Sequence, residues 1–166
     1  MPSTYTPIAT QTLGSAVSTF QFTSISSIYT DLILVMQPAL SVSNNAIYLD
    51  FNNDTATNYS WTALTGNGSS ATSARGSNQG LGSVANDVLY PVSTLGNTTI
   101  TIHIQNYSNT TTNKTYIVRG SQAASSTQAL LGLWRNTAAI NAIKFYAAGS
   151  NFSIGSIFTL YGIKAA

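Results

Sequence analysis

Residues 98–105 read Thr-Thr-Ile-Thr-Ile-His-Ile-Gln, with Ile100, Ile102 and Ile104 on one side and Thr99, Thr101, His103 and Gln105 on the other. An apolar residue at every second position is the period of a strand with one buried face. The run 106–113 is polar apart from Tyr107, and 115–120 returns as a second strand, so the pair predicts a hairpin.

Working outward from that hairpin, the same period recurs. Residues 17–23 alternate, with Phe20 and Phe22 on one face. Residues 46–51 place Ile47, Leu49 and Phe51 inward and Tyr48 and Asp50 outward. Residues 32–36 are apolar on both faces, which predicts a central strand closed by Pro38. Residues 87–91 allow one short strand, and 128–134 read as strand on context. Ile143, Phe145 and Ala147 alternate with Lys144 and Tyr146, and 152–163 close the fold with a bend at Gly155. No segment carries a sustained helical period. Short strands with turns about every ten residues predict an all-β antiparallel sandwich, jelly-roll-like in architecture.

Two stretches stand outside this pattern. Residues 1–16, with Pro2 and Pro7, predict an extended N-terminal arm laid on a neighbour, and 17–166 then form a single sandwich domain. Residues 51–80, FNNDTATNYSWTALTGNGSSATSARGSNQG, are nearly all hydroxyl, amide and glycine. They predict a long polar loop displayed by the scaffold, and a loop of that length points to function.

At 166 residues the chain can bury roughly 70% of its unfolded surface in one core. Only 6% of residues are charged, where soluble domains carry about 25%. There is no Glu, and the acids are Asp31, Asp50, Asp54 and Asp87. The net charge of +2 comes from scattered cations, which excludes the clustered basic face that nucleic-acid binding requires. The longest aliphatic run is too short for a bilayer, and Met1 is followed by no export signal, so the expectation is synthesis in a host cytoplasm without a membrane partner. A neutral surface rich in Thr, Ser, Asn and Tyr has the composition of an interface core. It also lacks the Lys and Glu that normally guard strand edges.

Chemistry-bearing candidates are few. With no Cys, neither disulfides nor thiolate ligands arise. His103 is the lone histidine and sits on the polar face of its strand, where it reads as solvated or at an interface. Asp50-Phe-Asn-Asn-Asp54 offers hard oxygens, but without a Glu it reads as a turn rather than a calcium loop. Gly66-Asn-Gly68-Ser-Ser-Ala71 matches a dinucleotide fingerprint in letters but not in its strand-then-helix context, so it reads as a flexible loop. Asn-X-Ser/Thr triplets such as those at Asn58 and Asn109 follow from composition. The expectation is a protein that is not an enzyme, with no catalytic residue, cofactor or metal. Its contacts are assigned to Tyr5, Ile8, Tyr59, Trp61, Arg75 and Tyr107: the aromatics as interface anchors or a sugar-stacking platform, and Arg75 reaching a carboxylate on a neighbour.

Several stretches carry a resemblance. Tyr5-Thr-Pro-Ile-Ala9, Thr12-Leu-Gly-Ser15, Phe51-Asn-Asn-Asp54, Asn58-Tyr-Ser60, Leu64-Thr-Gly-Asn-Gly-Ser-Ser70 with Arg75, Gly132-Leu-Trp134, Thr137-Ala-Ala-Ile140 and Phe158-Thr-Leu-Tyr-Gly-Ile163 resemble a family of tailed-bacteriophage virion structural proteins, especially those of cyanophages and other aquatic phages. The resemblance covers nearly the whole length and brings no catalytic signature. It implies a jelly-roll-like module, often a homotrimer, used as a capsid cement or decoration protein or in tail and fibre assemblies. The expected partners are therefore the major capsid protein or other virion proteins, and the expected location is the virion. The alternative is a tail-fibre or receptor-binding module that contacts host glycans.

Overall fold

The computed structural model describes residues 4–43, 45–85, 92, 94 and 96–164. Among these the regular elements are all strands: β1 (Tyr5–Thr12), β2 (Thr19–Phe22), β3 (Asp31–Gln37), β4 (Ile47–Phe51), β5 (Tyr59–Gly66), β6 (Ala71–Gln79), β7 (Gly82–Ala85), β8 (Thr98–Ile104), β9 (Lys114–Gln122), β10 (Ser126–Trp134), β11 (Ile143–Ala147) and β12 (Ile157–Ile163). The short strand expected at 87–91 lies outside the described residues.

They form an antiparallel eight-stranded sheet in the order β1-β12-β3-β8-β9-β10-β5-β6 and a four-stranded sheet in the order β2-β11-β4-β7. Without β5, β6, β9 and β10, four strands, β1-β12-β3-β8, face four others, β2-β11-β4-β7. Successive strands then alternate between the two sheets, except that β4 and β7 both lie in the small one, which is the jelly-roll topology. The expected all-β sandwich is therefore the observed one. The remaining four strands are two hairpins. One is inserted between β4 and β7 and one between β8 and β11, and together they extend the large sheet beyond β8.

The core forms where alternation places apolar side chains between the sheets. Ile100, Ile102 and Ile104 of β8, and Leu32, Leu34 and Met36 of β3, face Ile47, Leu49 and Phe51 of β4 and Ile143 and Phe145 of β11. Phe158 collects Phe20 at 4.3 Å, Phe152 at 5.2 Å and Phe145 at 6.1 Å between ring centroids. A second aromatic cluster of Phe51, Tyr59, Tyr116 and Trp134 joins the inserted hairpins to the roll. Each such side chain contributes about 1.5–3 kcal/mol when fully buried.

Three sequence expectations are corrected. The N-terminal arm is a strand of the same chain: β1 pairs with β12 from Tyr5↔Ile163 to Thr12↔Ile157, with a bulge between Pro7 and Ala9. Edge position and bulge leave its residues mostly exposed, so no clean period marks it; Ile8 is half-buried against the core and Leu13 is buried.

The long polar loop at 51–80 is mostly the hairpin β5–β6. Thr and Ser extend readily, and β6 is an edge strand exposed on nearly all its length, so it needs no apolar alternation. Its turn, Gly66 to Ala71, is held by Asn67, whose Oδ1 accepts from the backbone N–H of Ser69 and Ser70 at 3.0 and 2.9 Å, with Gly68 at φ +86°.

Finally, Asp50 sits at an outward position yet is fully buried. Its carboxylate accepts from the Tyr146 hydroxyl at 2.6 Å and the Asn53 N–H at 2.9 Å, and these donors offset its lost hydration.

Candidate functional site

Two of the predicted contact residues belong to the core. Tyr59 is fully buried, stacks on Trp134 and accepts the Phe51 N–H on its hydroxyl at 2.9 Å. Tyr107 is fully buried and donates to the Ser26 carbonyl. Burial pushes both phenols above their ordinary range. Neither ring can meet a sugar or a neighbour, because each finds the hydroxyl partner it needs inside the chain. Tyr5 is 55% exposed on the β1 edge, and Ile8 packs against the core. Trp61 and Arg75 sit on neighbouring strands but on opposite faces: Arg75 pairs with Thr62 on the outer face, while Trp61 packs against the core with its indole over Gly76, where a Cβ would come within 2.5 Å of it.

The carboxylates are committed to the fold. Asp54 Oδ2 accepts from Asn58 Nδ2 and Trp134 Nε1, each at 2.8 Å, and from Asn136 Nδ2 at 3.5 Å, while Oδ1 takes the Ala56 N–H at 3.0 Å. Burial works to raise its carboxyl pKa, but these donors outweigh it and hold the group below the usual range. Asn52 and Asn53 turn the chain in left-handed conformations at φ +57° and +58°. Asn52 Oδ1 accepts from the N–H groups of Asn141 and Ala142, so the stretch 50–54 is a structural corner whose oxygens point to internal donors.

His103 has a partner that sequence reading missed. Its Nε2 lies 2.8 Å from Asp31 Oδ2, and Asp31 Oδ1 accepts the Asn106 N–H at 2.8 Å. The cations are less evenly used. Lys114 is buried, donates to the carbonyls of Thr112 and Thr137 at 2.7 and 3.0 Å, and is held by burial below the usual lysine range. Arg135 ties β5 to the end of β6 through Ser60 Oγ and Asn78 Oδ1. The guanidiniums of Arg75 and Arg119 are exposed and take no hydrogen bond or ion pair among the described residues.

Those two arginines lie on the outer face of the large sheet. One row of paired residues crosses all eight strands: Pro7, Tyr161, Ile33, His103, Ile117, Leu131, Thr62, Arg75. The next row runs Thr10, Thr159, Val35, Thr101, Arg119, Ala129, Leu64, Ser73. Leu131 and Leu64 are 60% and 57% exposed at the centre of the extension. Beside them is an open groove of about 440 Å³ lined by Ile117, Leu131, Leu133, Thr62, Gln105 and Arg75.

An antiparallel sheet normally turns a polar face to water, whereas apolar residues on both faces are the pattern of a covered sheet. The segment Ala129-Leu130-Leu131 has that second pattern, and it is the signal that could have located the site. The small sheet differs. Its outer face is closed by its own contacts, with Lys144 over the Tyr146 ring at 5.0 Å, Tyr146 on Asp50, and Gln21 Nε2 on Asn53 Oδ1 at 3.3 Å.

No helix among the described residues is long and apolar enough to cross a membrane. No family model matches the chain, and no curated protein matches it. Among solved structures, 96% of the chain aligns with 29% of the exo-inulinase from Aspergillus awamori, at 10% identity and a TM-score of 0.40, so the chain spans less than a third of that enzyme. A likeness of that size carries no argument about activity.

Proposed function

We propose that the chain is a structural protein of a tailed-phage virion: a cement protein, acting as a homotrimer, that binds across neighbouring major capsid subunits and secures their lattice. The observation that supports this reading is the outer face of the large sheet, where Ile33, Val35, Ile117, Leu131 and Leu64 are spaced by threonines with few ions between them. Such a face gains stability when another protein covers it, and the resemblance of the chain to virion proteins supplies the kind of protein.

Counting copies in purified particles tests the reading. Hundreds per capsid are expected, and a complete absence from particles refutes it. Attachment through neutral contacts also depends weakly on ionic strength, so release between low and high salt should change little. Steep loss in moderate salt is the contrary result.

A second reading has one observation in its favour. The groove on the outer face sets Arg75, Gln105, Thr115 and Thr62 around the apolar Leu131, a combination of donors and apolar floor suited to a host glycan on a tail fibre. Binding on a glycan array, together with a tail-like number of copies, selects it.

A further inference from the structure

We infer that the extension of the large sheet docks, between Arg75 and Arg119, on a protein surface that presents an apolar centre flanked by two carboxylates; this rests on the reading of the chain as a virion subunit. The patch is built by register. Ile117, Leu131, Thr62 and Arg75 lie side by side on β9, β10, β5 and β6, and Arg119, Ala129, Leu64 and Ser73 form the adjoining row. Three strand spacings and one two-residue step place the two guanidiniums roughly 16 Å apart at the backbone, at opposite corners of the patch. Between them stand Leu131 and Leu64, the two most exposed apolar side chains of the extension.

Charge complementarity selects the occupant. Asp31, Asp50 and Asp54 are engaged by His103, Tyr146 and Trp134 respectively, so the described part of the molecule offers no spare carboxylate to these arginines. A second copy of the same face brings two more guanidiniums and no acid, which makes self-pairing through it repulsive. Two cations around leucines are also too few and too apolar for a nucleic-acid backbone. A protein surface that brings its own Asp or Glu satisfies both halves of the patch, and because docking buries the two ion pairs, salt screens them little and attachment still depends weakly on ionic strength. Arginine suits the task, because its planar fork meets a carboxylate with two parallel hydrogen bonds.

The test adds the purified full chain back to phage heads that lack it. Wild-type protein should saturate the heads. The double variant Arg75→Glu, Arg119→Glu should weaken attachment at least a hundredfold and Leu131→Ser at least tenfold, while Lys144→Gln on the other sheet should bind as wild type. Equal melting temperatures check that each variant is folded. In a second arm, Arg75→Lys and Arg119→Lys carry amines at the two corners. A carbodiimide should join each amine to the facing Asp or Glu as an amide, the water lost being taken up as the urea, and mass spectrometry then reads the partner residue.

If wild-type protein fails to bind heads at all, the virion reading fails and the docking face with it. If wild-type binds but the face variants bind equally well, or cross-links form only through Lys144 and Lys164, the docking face alone is overturned. Self-association abolished by Leu131→Ser, or attachment to DNA or phosphatidylglycerol vesicles lost in the double Glu variant, also overturns it.

Discussion

Replacing Gly132 by Ala probes the joint that holds the inserted hairpins, and with them the exposed sheet face, to the roll. Gly132 lies on β10 between Tyr116 of β9 and Trp61 of β5, and a Cβ there would fall 1.9 Å from Tyr116 Cζ and 2.4 Å from its Oη. The ring has no room to retreat. Its hydroxyl donates to the Ser83 carbonyl at 3.2 Å, it sits edge-on to Phe51 at 5.7 Å, and Gly82 of the facing sheet closes on the same oxygen, a Cβ there being only 2.4 Å away. Overpacking of this kind costs about 1–3 kcal/mol. If the phenol is driven off Ser83, a buried carbonyl left without a donor adds about 1–3 kcal/mol. The sum, about 2–6 kcal/mol, is a large share of a typical stability of about 5–15 kcal/mol and should lower the melting temperature by roughly 4–24 °C. Urea unfolding followed by the fluorescence of Trp61 and Trp134 measures it. In a Tyr116→Leu background the same Gly132→Ala change should cost less than about 1 kcal/mol, because the ring it collides with is gone. A loss below about 0.5 kcal/mol in the wild type, or an equal loss in both backgrounds, refutes the argument.

Asp54→Asn should destabilise the protein at neutral pH by at least the ~1.5–3 kcal/mol of one hydrogen bond to a charged acceptor. Because the Asp54 carboxyl is depressed in the folded state, its contribution is complete above the ordinary carboxylate value near pH 4 and is lost as pH falls through the folded value; the variant should therefore show a flatter acid limb in denaturant titrations. At the other end, burial and then the neighbouring Asp50 push the Tyr146 phenol up to about 12. That stability is whole below the free-tyrosine value of about 10 and drains away as pH rises through the folded value, so Tyr146→Phe should lessen the alkaline slope of the unfolding free energy. Deletion of residues 1–12 should destabilise the isolated chain, since β1 pairs with β12 of the same molecule. Backbone bonds at about 0.5–1.5 kcal/mol each predict a loss of about 3 kcal/mol or more, and an unchanged melting curve would restore the view of these residues as a detached arm.

The parts of the fold legible in the sequence were those with one wet and one dry face. Residues 98–105, 46–51 and 143–147 alternate because each strand lies over the core. The hairpin β5–β6 escaped because an edge strand with both faces in water carries no period, although Asn67-Gly68 at its tip is a strong hairpin signal. β7 escaped for the opposite reason, being buried on every residue and only four long. The site divided in the same way. Arg75 was picked out and does lie beside the exposed patch, whereas Trp61 packs against the core side of the sheet and Tyr59 and Tyr107 satisfy their hydroxyls internally and are core. Leu131 and Leu64 were passed over, since a leucine beside other apolar residues reads as interior until a register shows which face it takes. The partnership of His103 with Asp31 spans 72 positions of the chain and has no local signature.

The pairing of β1 with β12 has a consequence for how the protein is made. Among the described strands β12 is the only neighbour of β1 and also one of the two neighbours of β3, so while the ribosome is still translating 157–163 both earlier strands present unsatisfied edges. The nascent polypeptide is therefore exposed to aggregation until 157–163 have been made, and termination before them should yield insoluble product rather than a shortened but folded one.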